Sequence, residues 1–118
     1  MAEILILDDD AEFCGMLGDH IQRGGHGVSL AHTLTDGRKR LMSEPYDVVF
    51  LDIQLPDGCG LDALPEVRTC PEPPEVIIIT GFSDPESAEL AIQYGVWDYV
   101  QKQSSIQTVM LSLLRALQ

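Results

Sequence analysis

The chain has 118 residues, with seven Lys and Arg against nineteen Asp and Glu and a formal net charge of −12, which argues against a nucleic-acid face on this segment because phosphate backbones call for clustered cations. Its length suits one domain with a real core, and a hydrophobic fraction of 45% fits a globular protein. Cys14, Cys59 and Cys70 show no CxxC spacing and support neither a disulfide framework nor a zinc site, and no apolar run is long enough for a signal segment or membrane span, so a cytoplasmic location is expected.

Taken in chain order, the first expected strand is Ile4–Leu7, which ends abruptly in Asp8, Asp9 and Asp10. Two carboxylates about 4 Å apart repel by ~1 kcal/mol in water and ~4 kcal/mol at an effective dielectric of ~20, so three in a row need a reason. Phe13, Met16, Leu17 and Ile21 recur at helical spacing until Arg23–Gly25 stops the helix. A strand over Gly27–Ala31 follows. Leu34, Arg38, Leu41 and Met42 then mark a second helix that stops before Pro45 and carries Arg38, Lys39 and Arg40 on a solvated face. His20, His26 and His32, six apart, match no ligand pair and read as incidental.

Val48–Leu51 is an apolar strand that delivers Asp52 into a loop held open by Pro56 and Gly58. Leu61, Leu64 and Val67 indicate a third helix, with Pro65 in its first turn or kinking it. Cys70–Glu75 is a stiff connection to a strand over Val76–Ile79, which ends at Thr80. Asp84 and Pro85 cap and open a fourth helix through Ala88, Ala91 and Ile92 to Gly95. A fifth strand, Trp97–Val100, leads to Lys102, and Ile106, Val109, Met110, Leu113, Leu114 and Leu117 stripe the last helix.

The alternation is (βα)5, an α/β fold with a doubly wound parallel sheet. Such sheets bind ligands at the carboxyl ends of their strands. That edge would gather Asp8, Asp9, Asp52, Thr80 and Lys102. Clustered carboxylates raise one another's pKa unless a cation neutralises them, and hard oxygen ligands favour Mg²⁺.

These residues sit in "LDDD", "DVVFLDIQLPDGCGLD", "VIIITG" and "AIQYGVWDYVQK", in an order and spacing that resembles the CheY-like receiver domain of two-component response regulators across essentially the whole chain. The resemblance implies a five-stranded sheet in the order 2-1-3-4-5 and a phosphoryl-accepting switch rather than an enzyme. Asp52 would be the phosphoacceptor for a sensor histidine kinase. Asp8, Asp9, Asp52 and the backbone carbonyl of Gln54 would hold Mg²⁺. Thr80 and Lys102 would contact the phosphoryl oxygens, and Tyr99 would follow Thr80 as the switch aromatic. Gln54 and Phe82 occupy the two positions that tune phosphoryl hydrolysis, and Gly81 is expected to leave room for the phosphoryl group. Residues 1–118 are expected to form a single receiver domain, either stand-alone or the N-terminal part of a longer regulator. Its output would be an effector such as a transcription activator, for which "TGFSDPESAELAIQYG" is a faint likeness. Leu90, Trp97 and Leu111 lie on the helix 4–strand 5–helix 5 face through which the family often dimerises, or else complete the core.

One departure is Gln103, where the family usually has proline after the lysine, often with a cis bond. A cis bond before a non-proline costs about 2.5–4 kcal/mol, so a trans bond is expected here. Asp10 is expected to cap the first helix rather than join the cluster. The enzyme alternative is a haloacid-dehalogenase-type phosphatase using Asp8 and Asp10 as a D-x-D pair, which leaves Asp52 unexplained. A flavodoxin-like cofactor module is disfavoured by the acidic first loop, and a degenerate receiver by the intact acidic set.

Overall fold

The structure, a computed structural model, describes residues 1–81 and 84–118. Five strands, β1 (Glu3–Leu7), β2 (Gly27–Ala31), β3 (Val48–Asp52), β4 (Glu75–Thr80) and β5 (Asp98–Gln101), form one parallel sheet in the order β2-β1-β3-β4-β5. This is the expected 2-1-3-4-5 order. The helices are α1 (Ala11–Arg23), α2 (Leu34–Ser43), α3 (Leu64–Thr69), α4 (Pro85–Gln93) and α5 (Ile106–Ala116). Among the described residues no helix is long and apolar enough to cross a membrane.

Both faces of the sheet are covered because its central strands are apolar throughout their middles, with polar residues only at their ends. Ile4, Ile6, Val48, Phe50, Ile77 and Ile79 pack with Leu17 and Ile21 of α1 and with Val109 and Leu113 of α5. The alternate set, Leu5, Leu7, Val49, Leu51, Val76 and Ile78, packs with Leu41, Leu64, Val67 and Ala91 of α2, α3 and α4. Ile4, Leu5, Ile6 and Leu7 have no exposure, and burying each such side chain is worth about 1.5–3 kcal/mol. The period of two thus distributes one strand between two cores.

Side-chain caps set the starts of α1, α2, α4 and α5. Asp10 accepts the Phe13 amide at 3.0 Å, as expected, and Asp84 accepts that of Glu86 at 3.2 Å ahead of Pro85. Thr33 and Ser105 cap α2 and α5 in the same way. The turn after α4 passes through Gly95 at φ 77°, a conformation that favours glycine.

Several element boundaries differ from expectation, β1 beginning at Glu3 rather than Ile4 among them. The last strand begins at Asp98, not Trp97: as a sheet edge paired only with β4 it has polar residues at both ends, so hydrophobicity does not delimit it. β3 and β4 extend through Asp52 and Thr80, which are paired within the ladder rather than lying beyond it. Leu61 belongs to a 3₁₀ turn, Gly60–Ala63, ahead of α3, whose first turn holds Pro65.

The loop after β3 is also more ordered than an open loop. Gln54–Leu55 pairs with Gly58–Cys59 in a short antiparallel hairpin, and Ile53 and Leu55 are buried. Asp57 at its tip takes the Leu34 amide at 2.7 Å, the Thr35 amide at 2.9 Å and the Thr35 hydroxyl at 2.7 Å. Those donors, the Thr35 hydroxyl foremost, hold the Asp57 carboxyl down at about 2. The loop that carries Asp52 is thereby tied to the start of α2.

Candidate functional site

Parallel strands that end in register place their last residues side by side. Asp8 follows β1, Asp52 ends β3, Thr80 ends β4 and Lys102 follows β5. Asp8 and Asp52 are 1% and 4% exposed, and Thr80 is 1% exposed, so the strand ends form a nearly dry floor. Asp9 is exposed at its rim. Carboxylate oxygens of Asp8, Asp9 and Asp52 all lie within 4.8 Å of one another.

Lys102 bridges the cluster. Its ammonium lies 3.0 Å from Asp8 Oδ1 and 2.8 Å from Oδ2, with a longer 3.5 Å contact to Asp52 Oδ2. The same ammonium lies over the Phe13 ring, with Nζ 5.1 Å from the centroid. Burial works against the ammonium, but hydrogen bonding to Asp8 and the charges of Asp52, Asp8 and Asp10 outweigh it, so Lys102 is held above its ordinary range. Asp52 goes the other way for a carboxyl. Burial first, then the Asp8 charge, raise it from 3.8 to about 6, while Lys102 and the Gln54 amide pull it down.

The imbalance identifies what the site can hold. One ammonium faces three carboxylates, and Asp8 Oδ2, though buried, makes no aligned hydrogen bond among the described residues. A hard, compact, doubly charged cation fits this all-oxygen donor set, and Zn²⁺ would find neither the nitrogen nor the sulfur it prefers.

The backbone of Asp8 is fastened separately. Its carbonyl accepts the Cys14 thiol at 3.3 Å and His32 Nδ1 at 2.9 Å, so Nδ1 carries the proton. Burial pushes the Cys14 thiol up to about 12, which leaves it an inert packing group. His32 therefore has a local structural role that its spacing in the sequence did not reveal, as does Phe13, which read only as a core residue. His26 is likewise engaged, accepting the Ala2 amide at 3.1 Å.

Tyr99 packs against the core shared by α2, α3 and α4, and its buried hydroxyl has no hydrogen-bond partner among the described residues. The Gln54 side chain is exposed. A Cβ at Gly81 would meet only Lys102 Cδ at 3.9 Å, an ordinary contact, so the position is open. Phe82 lies outside the described residues. Asp10 is turned away into its cap and sends its own amide to Asp8 Oδ1 at 2.9 Å. Asp9→Ala should therefore weaken Mg²⁺ binding at least tenfold with little change in melting temperature. Asp10→Ala should lower stability by about 0.5–2 kcal/mol and leave Mg²⁺ affinity within twofold. Titrating each variant calorimetrically with Mg²⁺ checks the division, and equal losses would refute it.

Leu90, Trp97 and Leu111 are 41%, 46% and 46% exposed, so they do not complete the core. A cleft of about 340 Å³, between the end of α2 and the Cys70–Pro74 connection, sits at the opposite edge of the sheet from the acidic cluster.

Residues 4–114 match the profile of the response regulator receiver domain. The chain is 27% identical over 112 residues to the acid tolerance regulatory protein ActR of Rhizobium meliloti, covering 95% of this chain and 58% of that protein. It is 29% identical over 115 residues to the transcriptional regulatory protein ZraR of Klebsiella oxytoca, covering 98% of this chain and 26% of that protein. The chain thus spans little more than half of one relative and about a quarter of the other. In fold it is similar to a CheY-like receiver domain protein from Methanospirillum hungatei, with a TM-score of 0.94, 23% identity and coverage of 99% and 94% of the two chains. It is also similar to a Burkholderia pseudomallei response regulator solved with a phosphorylated aspartic acid, calcium ion and citrate, with a TM-score of 0.87, 24% identity and coverage of 100% and 67%. The chain belongs to the response regulator receiver domains, signalling modules that are phosphorylated on aspartate in two-component systems.

Proposed function

We propose that Asp52 is the phosphoacceptor, that the donor is a phosphohistidine on a sensor histidine kinase, and that the reaction requires Mg²⁺ held by Asp8, Asp9, Asp52 and the Gln54 carbonyl. The observation that carries this reading is the convergence of Asp8, Asp9 and Asp52 on one point beside the Lys102 ammonium. Bound Mg²⁺ would neutralise charge on the carboxylates and the transferring group. Asp52 attacks phosphorus through a carboxylate oxygen, the phosphorus–nitrogen bond of the donor breaks, and an acyl phosphate forms. Lys102 and the Thr80 hydroxyl stand at neighbouring strand ends, where developing charge on the phosphoryl oxygens needs donors.

The new charge, about two units, biases a two-state element. Thr80 and Tyr99 are its parts: drawing Thr80 towards the phosphoryl group would open space for the Tyr99 ring, whose hydroxyl sits buried without a partner among the described residues. Gln54 and Phe82 set how fast water removes the phosphoryl group. The output face is helix α4, β5 with Trp97 just ahead of it, and helix α5, where the exposed Leu90, Trp97 and Leu111 support homodimerisation. Residues 1–118 act as one receiver domain in the cytoplasm, coupled to an effector. The transcriptional regulatory relative ZraR supports an output in transcription.

One experiment tests the reading. After incubation with phosphoramidate and Mg²⁺, peptide mapping by mass spectrometry should find the phosphate on Asp52, and sedimentation of the product should show a heavier species than the untreated protein. Phosphate on Asp8 would instead support a phosphatase that uses Asp8 and Asp10. An unchanged monomer would remove the dimer from the proposal.

A further inference from the structure

Lys102 reaches the acidic cluster from a tight turn. The Ser104 amide donates to the Gln101 carbonyl at 3.0 Å, so Lys102 and Gln103 are the two central residues of that turn, and no described peptide bond is cis. Two hydrogen bonds join the turn to the end of β4. The first is the last rung of the ladder, from the Lys102 amide to the Thr80 carbonyl at 2.9 Å. The second is from a side chain, with Gln103 Nε2 donating to the Gly81 carbonyl at 3.2 Å. The four residues involved are two adjacent pairs, Thr80–Gly81 and Lys102–Gln103. In each pair one member carries a group proposed to contact phosphoryl oxygens, and the other takes part in the side-chain bond.

We propose that Gln103 is a positioning residue for phosphoryl transfer. Its side-chain amide clasps the β5–α5 turn to the segment after β4, so that the Lys102 ammonium and the Thr80 hydroxyl are held as one unit across the acidic cluster. Proline, the residue the resemblance leads one to expect at this position, stiffens a turn through its ring but has no side-chain donor. Glutamine leaves the backbone in the trans form and supplies the restraint from outside the chain's own path. The clasp is exposed and made by a neutral donor, so it contributes modestly and its contribution is one of placement. Gly81 suits the acceptor role because its carbonyl is approached without a side chain in the way, the nearest atom to a Cβ there being Lys102 Cδ itself.

The inference rests on the proposed role of Lys102, and the test separates the two. Gln103→Met keeps the length of the side chain and removes the donor. Gln103→Glu keeps the shape and sets a carboxylate against a carbonyl. Both variants should take up phosphoryl from phosphoramidate about 2- to 10-fold more slowly at saturating Mg²⁺. Mg²⁺ affinity should stay within twofold, and the Lys102 amide should exchange its hydrogen several-fold faster in the metal-free protein. Unchanged uptake and exchange would overturn the proposal, as would a loss of Mg²⁺ affinity or melting temperature that accounts for the slower uptake. Lys102→Ala is the reference: if it retains full uptake, the reading of the site itself fails, whatever the Gln103 variants do.

Discussion

Asp52→Asn should stabilise the metal-free protein while abolishing phosphoryl uptake. In the folded chain burial and the Asp8 charge raise Asp52 from 3.8 to about 6, so between these values the native state binds a proton that the unfolded state has released. Stability contributed at this position therefore falls as pH rises from about 4 to about 6, and the penalty is fully present above that window. A shift of this size corresponds to roughly 1–3 kcal/mol at pH 7. Asparagine does not titrate and escapes the penalty. Urea unfolding in EDTA should show the variant matching the parent near pH 4, exceeding it progressively up to about pH 6 and by a level margin above that. Adding Mg²⁺ should restore the parent and do little for the variant, because the cation supplies the charge that burial withholds. Parallel stability curves across the whole range would show that Asp52 is not strained in the free protein.

The second large effect comes from a residue with no chemistry of its own. Gly60 is buried at the start of the 3₁₀ turn, its amide donating to the Ile53 carbonyl at 2.7 Å. A Cβ built on it would overlap the backbone carbonyl oxygen of Asp52 and lie 2.9 Å from its carbonyl carbon. Neither atom belongs to a flexible side chain, so the strand end that presents Asp52, the proposed phosphoacceptor, would have to move. Gly60→Ala should cost about 3 kcal/mol or more and slow phosphoryl uptake together with stability. The control is Gly15→Ala, where a Cβ within α1 meets nothing within 4 Å and should stabilise by roughly 0.5–1 kcal/mol. Chemical denaturation of the two variants checks both signs. A Gly60→Ala protein as stable as the parent would mean that the loop relaxes in a way the packing does not suggest.

Gly60 and Asp57 mark what could not be read along the chain. In "LPDGCG" both look like turn residues, as they are, but the partners that give them weight, the Asp52 carbonyl and the α2 amides, come from other elements. Asp8, Asp9, Asp52, Thr80 and Lys102 were legible because each ends or follows an apolar strand, and parallel strands in register bring their ends together. Asp10 was legible because capping is local, settled within three residues by the Phe13 amide.

The sequence by itself thus determined the five strands, the helices between them and the acidic edge, because hydrophobic period, caps and turn residues act over a few positions, whereas the order of the sheet was implied only by the family resemblance. Tertiary structure decided the rest. It set the start of β5 at Asp98, the bridge from Lys102 to Asp8 rather than to Asp52 first, the fastening of Asp8 by His32, and the clasp from Gln103 to Gly81. Each is a contact between residues some 20 or more apart, and such contacts exist only once packing has placed two strand ends within a hydrogen bond of each other.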